Sequence, residues 1–154
     1  MAALTKSTVL KNAWTNIYDR MVANVKTVTL TDTATSTVVT YTGSFPDKEL
    51  DTKASYPILV VNPPEVLWDE FTLTRKEVTG NITIDIFTTK QESADSFLDA
   101  IINSIETYRD TLKDTYLMDW VNLEGTDYAN NIRGKMKVHM RSCTFGFKFR
   151  FTKT

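Results

Sequence analysis

The spacing of apolar residues changes abruptly between Asn81 and Leu112. From Ile82 the run Ile-Thr-Ile-Asp-Ile alternates apolar and polar residues, which is typical of a strand with one buried face. From Ala94 to Leu112 apolar residues recur at intervals of three and four, which predicts an amphipathic helix of about five turns. We therefore expect a helix packed on a sheet.

The same patterns predict further elements around this unit. Ser7 is a suitable N-cap for a first helix whose apolar residues from Leu10 to Met21 share one face. Thr89 and Glu92 have the spacing of a capping box at the start of the long helix, with Ser93 as a competing cap. Two hairpins are predicted: strands 25–31 and 37–42 joined across 32–36, and strands 71–78 and 81–88 joined around Thr79 and Gly80. The segment 56–62 is predicted to be a buried strand. A further strand is predicted at 116–123, before a polar turn at 125–131.

The last segment alternates apolar and polar residues, but its apolar positions change parity. A bulge or break near Arg141 and Ser142 would bring both sets to one face of the sheet. The two sets are Met136, Val138 and Met140, followed by Cys143, Phe145, Phe147, Phe149 and Phe151.

Length and composition favour one domain over residues 1–154. A chain of 154 residues with 42% hydrophobic content can bury one substantial core. An acidic segment at about 43–55 has little apolar content and is expected to be a long exposed loop. No stretch approaches the roughly 18 apolar residues of a membrane helix, and the N-terminus lacks the apolar run of a secretory signal, so we expect a protein made in the cytosol.

Charge is distributed unevenly along the chain, although the net charge is only -1. From Tyr128 to Thr154 there are seven basic residues and no acidic residue, which leaves 11 basic and 19 acidic residues before them. An acidic body with a basic C-terminal ribbon can bind its own copies head to tail, or it can bind a polyanion. Threonine, at 25 residues, is concentrated in the strand-like stretches, which favours exposed sheet over a deep cleft.

Candidate catalytic and metal-binding groups are few. His139 is the only histidine and lies on an alternating strand, on its presumed outer face, so a surface histidine without catalytic duty is favoured. Cys143 has the apolar parity of the same strand, which favours a buried thiol. One cysteine and one histidine cannot form a zinc site. The acidic loop lacks the glycine and the distal glutamate of an EF-hand calcium site. The five glycines are isolated from one another, so they cannot form a phosphate-binding loop. We expect no catalytic residue, metal or cofactor.

Nucleic-acid binding is an alternative because Lys148 and Arg150 alternate with phenylalanines. Strict alternation, however, would place the aromatic rings on one face and the charges on the other. That arrangement favours a buried strand with a basic outer side. Trp14, Trp68 and Trp120 are likewise expected to be core or interface anchors.

The order of these elements resembles that of a known family of virus proteins. The chain runs from an amphipathic helix through strands and an acidic loop to the run Tyr-Pro-Ile-Leu-Val-Val, the run Ile-Thr-Ile-Asp-Ile-Phe, the helix Ser-Ala-Asp-Ser-Phe-Leu-Asp-Ala-Ile-Ile and an aromatic final strand. It resembles the tail terminator, or tail completion, proteins of long-tailed bacteriophages and the related head-to-tail joining proteins. The resemblance covers nearly the whole chain, with extra length at 25–55.

The resemblance implies an α+β fold in which two amphipathic helices pack on one face of a mixed, mainly antiparallel sheet. It also implies a hexameric ring in the neck of the virion that caps the tail tube, ends its polymerisation and offers a docking surface to the head connector. DNA would pass through the lumen without specific binding, and no membrane or catalytic residue is involved. A head-completion protein of the connector is the alternative within the family.

Ring assembly would use complementary charged surfaces on neighbouring subunits. We expect these surfaces in the acidic loop, in the turn at 125–131 and on the outer side of the basic ribbon. The candidate interface residues are Asp47, Glu49, Asp51, Asp127, Arg133, Lys135, Lys137, Arg141, Lys148 and Arg150.

Overall fold

The chain folds into two long helices and eight strands over residues 1–45, 53–70, 72–133 and 136–152, which a computed structural model describes. The elements are α1 (Val9–Asn24), β1 (Thr27–Thr29), β2 (Thr35–Thr37), β3 (Thr40–Thr42), β4 (Ile58–Val61), β5 (Glu65–Glu70), β6 (Arg75–Thr88), α2 (Gln91–Asp114), β7 (Asp119–Arg133) and β8 (Met136–Thr152), with a short 3₁₀ turn at Lys53–Ser55.

The main sheet is mixed and mainly antiparallel. Its strands lie side by side in the order β3, β4, β6, β8, β7, and β5 pairs with the first part of β6 on the flank that β4 also uses. β3 and β4 are parallel, whereas the other paired strands of the described residues are antiparallel. β1 and β2 form a separate antiparallel ribbon. The predicted α+β class is confirmed.

Both helices cover the same face of this sheet. Alternate residues of β6 point to that face because side chains alternate along a strand. These residues, Ile82, Ile84 and Ile86, belong to one buried core with the apolar stripes of both helices. The helix residues of this core include Ala13, Ile17, Met21, Phe97, Leu98, Ile101, Ile105 and Leu112.

A second, smaller core lies on the opposite face. Ile58 and Val60 of β4 point there, while Leu59 and Val61 point to the helices, so all four residues are buried. The predicted buried strand is therefore confirmed. The smaller core consists of Tyr56, Ile58, Val60 and Val138, with Phe45, Phe87 and Met136 packed against it.

The last strand has neither a bulge nor a break in its pairing with β6 near Arg141 and Ser142. β8 pairs with β6 without a shift of register, from Arg75 opposite Thr152 to Thr88 opposite His139. Its two apolar sets remain on opposite faces, where Val138 joins the smaller core and the set from Cys143 onward joins the larger one. Because each face has its own core, no bulge is needed to bury both sets.

The predicted hairpin around Thr79 and Gly80 is wrong. β6 is one strand of 14 residues that runs straight through both positions. The turn lies earlier, between β5 and β6. A Cβ atom at Gly80 would lie 2.7 Å from Cζ of Phe147 and 2.9 Å from Cγ1 of Val66, so glycine serves close packing here.

β7 extends through the segment that was predicted to be a polar turn. Residues 125–131 pair with β8, from Gly125 opposite Thr144 to Asn131 opposite Val138. Register shifts occur in β7, between Asp119 and Asn122 and again near Leu123. The polar residues of this segment are solvated side chains of a strand at the edge of the sheet. Because the amino-acid composition of such a strand is similar to that of a turn, the sequence predicted a turn here.

The predicted strand 37–42 is divided between two sheets. A hairpin is present, but its second strand is β2, Thr35–Thr37, which overlaps the predicted turn 32–36. Val38 still donates its backbone N–H to the carbonyl of Lys26 at 2.8 Å. The next residue, Val39, donates instead to the carbonyl of Pro57 at 2.8 Å. The chain therefore passes from the ribbon to the main sheet between these two residues.

The helices start close to their predicted positions but without the predicted caps. Thr8, not Ser7, is at the N-cap position of α1, and neither helix has a side-chain cap hydrogen bond. The Glu92 carboxylate accepts hydrogen bonds from the backbone N–H of Thr31 at 2.6 Å and from its hydroxyl. Glu92 therefore ties the β1–β2 hairpin to α2 instead of closing a capping box.

We predict that Gly80→Ala lowers the free energy of unfolding by about 1–3 kcal/mol, because the added methyl group overpacks the contact with Phe147. Gly125→Ala is the matched control, since a Cβ atom there meets nothing within 4 Å. Urea titration followed by far-UV circular dichroism measures both variants. Equal stability of the two variants would contradict the packing role of Gly80.

Candidate interaction surfaces

The predicted interface residues do not form one surface. Asp47, Glu49, Asp51 and Lys135 lie outside the described residues. The remaining six are on the β7–β8 hairpin: Asp127, Arg133, Lys137, Arg141, Lys148 and Arg150. Asp127 is exposed opposite Ser142, and Arg133 ends β7 opposite Met136.

The basic residues of β8 point to two different faces. Lys137 and Arg141 have the parity of Cys143 and lie on the helix side of the sheet, whereas Lys148 and Arg150 lie on the opposite side. The expected single basic outer side of the ribbon is therefore wrong. The alternation of apolar residues in the sequence would have shown which face each basic residue occupies only if β8 had been known to pair without a bulge.

Lys148 and Arg150 are paired with one carboxylate. Glu77 of β6 lies 2.6 Å from Nε of Arg150 and 3.8 Å from Nζ of Lys148. The ammonium group of Lys148 also lies 5.7 Å from the centre of the Trp120 ring. The negative charge of Glu77 therefore balances part of the positive charge of Lys148 and Arg150.

Arg141 is fixed between the sheet and α2. Its Nε donates to Oδ1 of Asp95 at 2.7 Å, and its guanidinium lies 4.8 Å from the centre of the Tyr128 ring. The Tyr128 hydroxyl and Nδ1 of His139 share a hydrogen bond of 2.7 Å. Burial and then the charge of Lys137 lower the pKa of His139, while Asp95 acts in the opposite direction.

The phenylalanines of β8 are core residues. Phe145, Phe147 and Phe149 are buried under the helices, so their rings are not available for stacking on bases. Trp14 is also an anchor of the packed interior, because its Nε1 donates to the carbonyl of Val61 at 2.7 Å and its ring stacks on Tyr18. The core interpretation of this strand is confirmed.

One end of the sheet displays large apolar side chains to solvent. β6 and β7 begin and β8 finishes at this end. Leu117 and Trp120, at the start of β7, are 47% and 60% exposed. We call these two residues the apolar end. Leu73 in the β5–β6 turn is 94% exposed but lies farther along the sheet, because it precedes Arg75, which pairs with Thr152, whereas Asp119 pairs with Lys148. Exposed apolar groups of this size are typical of protein-binding surfaces.

The backbone turns two of these side chains outward. Leu117 and Trp120 have φ values of 63° and 55°, in the left-handed region that bulky residues rarely adopt. Between them Met118 is buried, and its backbone N–H donates to the carbonyl of Leu112 at 2.9 Å. The connection thus buries one apolar residue and exposes its neighbours at a conformational cost of about 1–3 kcal/mol for each left-handed residue.

Two open grooves border the apolar end. One, of about 480 Å³, lies between α2 and the start of β7 and is lined by Glu106, Arg109, Asp110 and Trp120 among others. The second, of about 350 Å³, is lined by Lys113, Leu117, Lys148 and Phe149 among others. Charges around an apolar patch can orient a protein partner.

Sequence reasoning missed part of the apolar end. Trp120 was expected to be an anchor, but Leu117 lay inside the predicted strand 116–123. No sequence feature signals the left-handed backbone at Leu117.

Two titratable groups lie within the sheet, the buried Cys143 and the partly buried Asp85. Burial raises the pKa of the Cys143 thiol to about 12, with a further contribution from Asp85, so the thiol stays protonated at neutral pH. Burial also raises the pKa of Asp85, and the hydrogen bond that it accepts from Nδ2 of Asn62 at 2.8 Å partly opposes that rise.

Among the residues that the structure describes, no three His, Cys, Asp or Glu side chains are grouped so that they could hold a metal ion. Over the same residues no helix is both long and apolar enough to cross a membrane. Comparison of the chain with protein-family profiles and with characterised proteins gives no match.

We predict that Asp85→Asn raises the free energy of unfolding at pH 7, because it removes a partly buried charge and keeps an acceptor for Asn62. The raised pKa of Asp85 means that the folded chain takes up its proton first as pH falls. The advantage of the variant should therefore shrink as pH falls through that pKa. Urea titrations between pH 7 and pH 3 measure this difference.

Asp99→Asn on the exposed side of α2 is the control for loss of one negative charge. It should change stability little at any pH. A stability difference for Asp85→Asn that does not depend on pH would contradict the assigned cause.

Proposed function

We propose that this chain is a structural virion protein of a phage neck, a tail terminator that forms a ring on the end of the tail tube. The fold supports this proposal because the resemblance implies two helices on one face of a mixed sheet, and the chain has that architecture. The ring ends polymerisation of the tube and provides the docking surface for the head connector. DNA crosses its lumen without specific binding.

The observation that carries this proposal is the apolar end, Leu117 and Trp120. A protein that ends a polymer needs a face that binds the last ring of subunits. Large apolar side chains among charged groups, held outward by a strained backbone, suit such a contact. We assign the tube-binding contact to this end of the sheet.

Size determination of the purified protein tests the ring. Light scattering after gel filtration, alone and with tail tubes, should give an assembly of about six times the 17.5-kDa chain. Electron microscopy of tubes polymerised in its presence should show capped tubes of limited length. A chain that stays monomeric and leaves tube growth unchanged would contradict the proposal, and a ring that binds only the connector would instead make it a head-completion protein.

We predict that Trp120→Ala weakens binding to tube ends by about tenfold or more, because the exposed ring is the largest apolar anchor of this end. Leu10→Ala, at an exposed position of α1, is the matched control and should cap tubes like the wild type. Both changes should alter the free energy of unfolding by less than about 0.5 kcal/mol. Full capping by Trp120→Ala would place the tube contact elsewhere.

A further inference from the structure

Among the described residues three strands of the main sheet pair on one side only: β3 with β4, β5 with β6 and β7 with β8. β3 has three residues and none is charged, so β5 and β7 are the two edges that carry charge. Over the part of the chain that the structure describes, their outer sides present backbone N–H and carbonyl groups without a strand partner. Such an edge is a template for pairing with a further strand.

The distal part of β7, from Tyr128, combines exposed apolar side chains with a lysine on the adjacent strand. Tyr128 and Ile132 are exposed, and Ile132 lies opposite the exposed Lys137 on β8. No acidic residue occurs in the sequence from Tyr128 onward. This edge therefore combines apolar contact area with the positive charge of Lys137.

β5 has the complementary chemistry. It spans six residues, of which Glu65, Asp69 and Glu70 are acidic and none is basic. Leu67 and Trp68 on the same strand are exposed. Opposite charge with apolar side chains on both strands is the pattern that favours correct partners and register at an interface.

We propose that the distal part of β7 in one copy of this chain pairs with β5 of the next copy. The contact joins two different edges, so it is heterologous and repeats from copy to copy until the assembly closes as a ring. Strand hydrogen bonds and the apolar side chains supply most of the affinity, and the charges select the partner edge. This inference rests on the proposed ring and names the surfaces that build it.

Charge reversal at each edge tests the pairing. Asn131→Glu with Lys137→Glu places two carboxylates on the distal hairpin, and Asp69→Lys with Glu70→Lys makes β5 basic. Each double variant alone should associate about tenfold or more weakly in sedimentation velocity, because like charges then face each other. An equal mixture of the two should assemble again, since each kind of copy then offers a complementary edge to the other.

Combining all four substitutions in one chain should likewise restore a homogeneous ring. Lys11→Glu on the exposed side of α1 is the control for a reversed charge away from both edges, and it should assemble normally. Recovery in the mixture also shows that both variants are folded. Hydrogen exchange of the wild type adds an independent readout, because amides of 65–70 and 128–133 should become protected on assembly.

The outcomes separate this pairing from the proposed function. If the wild type forms a ring but both reversed variants assemble equally well, or the mixture fails to assemble, the pairing is wrong and the ring proposal survives. If the ring forms without added protection of these amides, the pairing is also wrong. A wild type that stays monomeric with and without tail tubes overturns both.

Discussion

The uninterrupted pairing of β6 with β8 is the constraint on which the rest of the structure depends. It runs from Arg75 opposite Thr152 to Thr88 opposite His139 without a register shift. Because side chains alternate along paired strands, this single register decides which residues face the helices and which face the smaller core. It also places Arg150 opposite Glu77, where the two side chains form an ion pair. Gly80 permits the register, since any larger residue would meet the ring of Phe147.

Elements with a long periodic pattern could be predicted from the sequence. The stripe from Ala94 to Leu112 predicted α2, and the continuous apolar run at 56–62 predicted a strand buried on both faces. The errors came from residues with two possible uses. Gly80 and Gly125 are usually turn signals, but here one provides room for a packed ring and the other lies in an edge strand. Which use applies depends on the partner strand, and a single sequence does not show that partner.

The candidate surfaces could be predicted less well, for an electrostatic reason. Counting charges along the sequence gave a basic ribbon, but pairing across strands redistributes those charges. Glu77 lies between Lys148 and Arg150, and Asp95 on α2 binds Arg141. Both acids come from outside the ribbon, so only tertiary structure brings them together with it. The exposure of apolar residues such as Leu73 was not predicted, because exposure depends on which other parts of the folded chain pack against a residue.

β4 and β5 lie on the same flank of β6, and each pairs with a different part of that strand. Asn62 ends the β4 ladder with two hydrogen bonds to the carbonyl of Thr83, and Pro63 and Pro64 cannot donate any. The part of β6 beside β4 is buried in both cores, whereas the part beside β5 contributes Val78 to the larger core, and β5 itself is mostly exposed. Local opening of β5 costs less than global unfolding. β5 can therefore adjust its twist to a neighbouring molecule while the helix-covered body keeps its shape.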